Sequence, residues 1–166
     1  MKKDSSQLNG GSMSEVQIIQ YGSADQWPQE VLVYTDGASR GNPGPASVGI
    51  HVCDFSENTI FEYGETLGEQ TNNFAEYSAV KIALEMACEQ KVEKIKIRSD
   101  SELLVKQMKG EYKVKSEMIK PLFLICKNLI SKIGQVEFEH VRREKNKRAD
   151  QLANMVLDGE GSFPLI

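Results

Sequence analysis

The feature that most constrains the fold is a change in the spacing of apolar residues near residue 73. Before it, three β-branched, apolar segments over 31–36, 47–55 and 59–67 are separated by turn-forming residues, which is typical of strands. After it, residues 73–89 place apolar side chains at helical spacing. Since consecutive strands with short connections usually pair, we expect an antiparallel meander followed by a helix.

The rest of the chain alternates strands with helices. Strands are predicted over 94–100 and 136–141, and helices over 101–108, 116–133 and 147–157. This order predicts an α/β domain over 30–166, with a five-stranded mixed sheet (three antiparallel strands, then parallel ones) flanked by helices. Residues 1–29 are polar and rich in Gly and Ser at their start, which predicts a tail or linker, with one short strand expected over 16–21.

Composition narrows the class of protein. A net charge of −4 argues against a strongly basic surface but allows a local basic patch. The three cysteines are far apart and form no zinc-ligand pattern, so we interpret them as reduced core residues. No run of about 18 apolar residues and no secretory signal is visible. We therefore expect a cytoplasmic protein without membrane contact, and a monomer.

Four acidic residues lie at or near the ends of predicted elements: Asp36, Glu76, Asp100 and Asp150. Asp36 lies at or near the end of a central strand, where an unpaired carboxylate is costly, although Asp36-Gly37 is also a hairpin-turn sequence. Asp100 is equally compatible with a helix cap, and Asp150 with a charge favoured by the helix dipole. Each of these acidic residues alone has a structural explanation.

Glu76 has the same ambiguity. It follows Asn72 and Asn73, which are good N-caps, so a capping-box role is one interpretation. Its spacing to Ala79 and Ala83 instead places it on the helix face that packs on the sheet.

The predicted fold would bring the four acidic residues together at one edge of the sheet. Parallel strands over 31–36 and 95–100 would bring Asp36 and Asp100 side by side, and helix starts would bring Glu76 and Asp150 to the same edge. Such a cluster cannot stay fully ionised without cations, and hard divalent metals bind carboxylate oxygens.

The sequence also resembles a known family. The segments YTDGASRGNPGPASVG, TNNFAEYSAVKIALE, IRSDSELLVKQMKGEYKVK and VRREKNKRADQLAN are similar, in order and spacing, to the four motif blocks of ribonuclease H type 1. The resemblance covers about residues 31–157 and implies the RNase H-like fold. It also implies an endonuclease that hydrolyses the RNA strand of RNA–DNA hybrids and leaves 5′-phosphate and 3′-hydroxyl ends.

The resemblance assigns metal-binding and catalytic roles to Asp36, Glu76, Asp100 and Asp150. Two Mg²⁺ ions are implied, with Mn²⁺ as an alternative, and Asp36 would bridge them. The residues expected to contact nucleic acid are Gly37, Ala38, Asn42, Asn72, Asn73, Ser101, Arg142 and Arg143. Further phosphate contacts are expected from Lys106, Lys109, Lys113, Lys115, Lys145, Lys147 and Arg148.

The chain departs from the best-known bacterial pattern in two places. Only GEYKVKS separates the predicted helices over 101–108 and 116–133, so the extra basic helical handle is absent. The stretch VRREKN contains no histidine, and we place His140 in the last strand rather than in a catalytic loop. Arg142 or Arg143 would then supply the positive charge there. This shorter pattern is similar to an archaeal-like branch of the family.

Three functions are consistent with these residues. The first is a nuclease specific for RNA–DNA hybrids. The second is a nuclease of the same fold that also cuts double-stranded RNA. The third is a non-catalytic nucleic-acid binding module, against which the complete carboxylate set argues.

Overall fold

The computed structural model of the chain describes residues 15–23 and 25–159. The strands are β1 (Ile18–Gly22), β2 (Glu30–Ser39), β3 (Gly44–Cys53), β4 (Thr59–Gln70), β5 (Lys94–Ser99) and β6 (Gln135–His140). The helices are α1 (Asn72–Glu89), α2 (Glu102–Met108), α3 (Lys120–Ile133) and α4 (Lys147–Leu157), with a 3-10 turn at Arg143–Lys145.

All these strands belong to one mixed sheet in the order β1-β4-β3-β2-β5-β6. Strands β1 to β4 pair antiparallel, whereas β2, β5 and β6 run parallel. The sheet therefore confirms the predicted α/β class and the meander, but it has six strands where five were predicted.

The additional strand is β1, which lies within residues 1–29, the range predicted as a tail. The short strand expected over 16–21 is thus present at Ile18–Gly22 and pairs with β4. Ile19 explains its place in the sheet, because this side chain is fully buried against Leu152 and Val156 of α4. Residues 1–14 of the predicted tail lie outside the described residues.

Helices cover the two faces of the sheet unequally. The main core joins β2 and β5 to α1, α2 and α3, with Val33, Ile97 and Leu84 among its fully buried members. Helix α4 packs on β2 and β3 from the other face, beside the smaller cluster around Ile19. The carboxyl ends of the parallel strands β2 and β5 therefore lie between α1 on one face of the sheet and α4 on the other.

The connection between α2 and α3 contains no further helix, so the predicted absence of the handle is confirmed. Helix α3 begins at Lys120 rather than at residue 116. Residues 116–119 form a turn before it, in which the hydroxyl of Ser116 accepts a hydrogen bond from Ile119 N (3.3 Å). Within the described part of the chain, no helix is long and apolar enough to cross a membrane.

Candidate active site

Asp36 and Asp100 are brought together by the parallel pairing of β2 with β5. The register runs from Glu30 opposite Lys94 to Thr35 opposite Ser99. Asp36 and Asp100 are the next residues on the two strands, so they lie side by side where the ladder ends. The side-by-side placement predicted from the sequence is therefore confirmed. β2 itself continues to Ser39, so Asp36 is a strand residue and not part of a hairpin turn.

Glu76 reaches the same place from α1. Its Oε1 accepts a hydrogen bond from the backbone N–H of Gly37 (3.0 Å), and the Glu76 side chain is buried. The close approach depends on Gly37 having no side chain, since a Cβ there would overlap the backbone of Ala75 and Glu76. The capping-box interpretation is wrong, because Thr71 caps α1 by accepting from Phe74 N (3.1 Å).

Asp150 approaches from the opposite face on α4. Gly49, which pairs with Asp36, allows this, because a Cβ there would overlap the backbone of Ala149. Asn146 fixes the start of the helix by donating its Nδ2 to the carbonyl oxygen of Thr35 (2.9 Å). The carboxyl of Asp150 thereby lies close enough to Asp36 to raise the pKa of that carboxyl.

The carboxylates form one cluster. One oxygen from each of Asp36, Glu76 and Asp100 lies within 4.8 Å of the others, a spacing that suits a bound metal ion. Burial raises the pKa of Asp36 far above its ordinary value, and the charges of Glu76, Asp100 and Asp150 raise it further. Burial likewise raises the pKa of Glu76, and the negative charge of Asp100 raises it further. Cations would relieve this repulsion, which is the chemical reason to expect metal ions here.

The buried charges predict how the metal-free protein responds to pH. Folded Asp36 and Glu76 keep protons that the unfolded chain releases, so stability should fall as the pH rises above about 4. Asp36→Asn removes part of this penalty. In EDTA, the variant should therefore melt higher than the wild type at about pH 8, and the difference should shrink toward about pH 4.

Thermal denaturation followed by circular dichroism measures this difference. Glu85→Gln is the matched control, because Glu85 is half-exposed on α1 and pairs with Lys81 outside the cluster. Added Mg²⁺ should raise the melting temperature of the wild type more than that of Asp36→Asn. Equal melting temperatures for wild type and Asp36→Asn in EDTA across this pH range would contradict the electrostatic account.

The other residues expected to contact nucleic acid lie in β2, in the loop after it and at the starts of α1 and α2. Asn42 accepts a hydrogen bond from the backbone N–H of Asn72 (3.0 Å), so the loop after β2 is tied to α1. Asn73 lines a groove that also contains Tyr112 and Lys115. Ser101 caps α2 by accepting from Leu104 N (3.3 Å), which leaves Asp100 free of the capping role. Gly37 and Ala38 lie within β2, and the N–H of Gly37 is already bonded to Glu76.

His140 ends β6, and the two arginines lie in the turn that follows this strand. His140 is the last residue of β6 and pairs with Ser99, so its predicted strand position is confirmed. Arg142 precedes the 3-10 turn that Arg143 begins. The positive charge of Arg143 and the N–H of Gly37 oppose the rise in the pKa of Glu76 that burial causes. Arg143 therefore lies close enough to act electrostatically on the cluster.

Comparison with known proteins agrees with this geometry. A family model described as reverse transcriptase-like matches residues 34–156. Ribonuclease HI of Halobacterium salinarum is 40% identical over 128 residues, which cover 77% of this chain and 64% of that protein. A bifunctional protein of Mycobacterium tuberculosis is 36% identical, and the match covers 78% of this chain and 36% of that protein. The chain thus spans less than two thirds of these curated relatives.

Solved structures give the same result. The crystal structure of RNase H1 from the halophilic archaeon Halobacterium salinarum superposes with a TM-score of 0.76 at 39% identity, covering 78% of this chain and 98% of that one. LC11-RNase H1, solved in complex with an RNA/DNA hybrid, gives 0.75 at 40% identity, covering 78% and 97%.

Proposed function

Because the chain belongs to the ribonuclease H type 1 family, we propose that it is an endonuclease acting on the RNA strand of RNA–DNA hybrids. The observation that carries this proposal is the carboxylate cluster of Asp36, Glu76 and Asp100, with Asp150 beside it. A decayed, purely binding module would have no physical reason to keep these buried like charges together.

Two Mg²⁺ ions fit the donor set, with Mn²⁺ as the alternative, because carboxylate oxygens are the ligands that these hard cations prefer. Asp36 would hold both ions, Asp100 and Glu76 would add ligands on one side, and Asp150 on the other. When bound, the ions would activate the attacking water and stabilise the leaving 3′-oxygen, giving 5′-phosphate and 3′-hydroxyl ends. The protein's own part is to hold the four carboxylates rigidly before substrate arrives.

Residues around the cluster support a nucleic-acid substrate. Asn72 and Asn73 begin α1, and Asn42 in the loop after β2 is bonded to Asn72, so these side chains could bond 2′-hydroxyls and base edges in a wide minor groove. Further proposed contacts near the cluster are backbone atoms of Gly37 and Ala38, the hydroxyl of Ser101, and the cationic side chains of Arg142 and Arg143. These cations would offset the net charge of −4 locally.

A broader substrate range is the alternative, since a minor groove with 2′-hydroxyls also occurs in double-stranded RNA. The test uses matched RNA–DNA, RNA–RNA and DNA–DNA duplexes with Mg²⁺ or Mn²⁺. Cutting of the hybrid alone supports the proposal, and comparable cutting of RNA–RNA supports the alternative. Binding without any cutting would favour the non-catalytic module.

We further propose that the protein acts as a monomer in the cytoplasm. The three cysteines support this compartment, because Cys53, Cys88 and Cys126 are all unpaired in the structure. Analytical ultracentrifugation tests the oligomeric state.

His140→Ala is expected to leave most of the hydrolytic activity. His140 is fixed by the pairing of β6 with β5, so it cannot swing toward the cluster as a residue in a flexible loop could. Steady-state cleavage of the hybrid measures this. A loss of about a hundredfold or more in a folded variant would show that His140 acts as a general acid or base.

A further inference from the structure

The connection over residues 109–119 replaces a helical handle and has no regular secondary structure to fix its shape. Local backbone hydrogen bonds close its start, where Glu111 N donates to Lys106 O (2.8 Å). Val114 packs against the main core in its middle. Ser116 then leads into α3.

A buried pair of polar side chains ties this connection to α1. The hydroxyl of Tyr77 donates to Oε1 of Gln107 (2.6 Å), and Nε2 of Gln107 donates to the backbone carbonyl of Lys113 (3.2 Å). Tyr77 is fully buried and Gln107 is nearly so. Polar atoms at such depth are costly unless paired, so the two bonds restrict where Lys113 can lie.

The tethered connection lines a groove beside the start of α1. Tyr112, Lys113 and Lys115 line a groove of about 610 Å³ together with Asn73, which lies three residues before Glu76. The ring of Tyr112 is half-exposed, and Lys106 Nζ lies 5.0 Å from the centroid of this ring. An exposed aromatic ring beside lysines suits the bases and phosphates of a nucleic-acid strand.

We propose that Tyr77 and Gln107 are positioning residues that set substrate affinity by holding the lysines of the connection beside the active site. This inference rests on the proposed function, since it names how the same site grips its nucleic acid. Neither side chain touches the reacting atoms. Tyr77 follows Glu76 directly, so one turn of α1 would serve both cleavage and substrate binding.

Tyr77→Phe tests this by removing one hydroxyl. Both Kd and KM for the RNA–DNA hybrid should rise about 3- to 10-fold, because a net intramolecular hydrogen bond shifts an equilibrium by about that factor. The kcat should stay within about twofold, since the carboxylates are untouched. Gln107→Met, which loses both bonds at similar volume, should give the same pattern. Tyr63→Phe is the matched control, because it removes a hydroxyl bonded to Glu65 on β4.

A double-mutant cycle separates positioning from general loosening of the fold. In a Lys113→Ala/Lys115→Ala background, Tyr77→Phe should no longer change Kd, because the cations that it positions are gone. An unchanged Kd in Tyr77→Phe, a full additional effect in the double-lysine background, or a fall in kcat alone would each overturn the inference. Absence of cleavage by the wild type would instead contradict the proposed function. Fluorescence anisotropy measures hybrid binding without cleavage, so it tests the positioning role separately from the proposed function.

Discussion

Replacing Asp36 with Asn is expected to lower kcat for cleavage of an RNA–DNA hybrid by about 10³-fold or more, since divalent ions contribute several kcal/mol to such reactions. Asp36 lies at the centre of the cluster, with Glu76, Asp100 and Asp150 all acting on its pKa. The amide keeps the shape of the side chain but removes the charge that metal ions require. Gel analysis of a labelled RNA strand measures the rate.

One control variant and one check of folding make this result specific. Glu85→Gln removes a carboxylate from α1 outside the cluster and should cleave at the wild-type rate. Asp36→Asn itself should stay folded, because it relieves a buried charge in the metal-free protein. Cleavage by Asp36→Asn within about tenfold of the wild type would contradict a metal-ion mechanism centred on this residue.

Gly37→Ala should damage both the fold and the site. The added methyl group would overlap the backbone of Ala75 and Glu76, so α1 must move away from β2. Such overpacking costs about 3 kcal/mol of the free energy of unfolding. Displacement of Glu76 by about 1 Å should also lower kcat by about a hundredfold in the protein that remains folded.

Gly64→Ala is the matched control for this substitution. Its added Cβ would lie 3.0 Å from Cγ1 of Ile19 and from the backbone oxygen of Leu152, whereas the Cβ added at Gly37 would lie only 2.2 Å from the carbonyl carbon of Ala75. We expect a smaller loss of stability and nearly unchanged kcat. Denaturant unfolding and steady-state cleavage would compare the two variants, and equal kcat for Gly37→Ala and wild type would show that Glu76 does not need this close approach.

Most of the sheet could be predicted because the spacing of apolar residues is regular along each strand and helix. Apolar alternation and the later helical spacing identified β2 to β6 and the α-helices, and the parallel pairing of β2 with β5 then placed Asp36 beside Asp100. The six-stranded sheet was not predicted, because the packing of Ile19 on α4 depends on residues more than a hundred positions away.

Cap positions and tertiary hydrogen bonds were harder to predict. Thr71, Asn72 and Asn73 are all good caps, and only the geometry shows that Thr71 takes this role and leaves Glu76 for Gly37. The Tyr77–Gln107 bond joins side chains thirty residues apart, and no local pattern marks it. Asn146 belongs to the recognised motif, but its bond to Thr35 needed the fold.

The most direct test of the central claim is cleavage of one RNA–DNA hybrid with a different label on each strand. With Mg²⁺, the RNA strand alone should shorten to fragments with 5′-phosphate and 3′-hydroxyl ends, and EDTA should stop the reaction. Undiminished cleavage in EDTA, or cutting of the DNA strand, would contradict the assignment of the four carboxylates to a metal-dependent site that cleaves RNA.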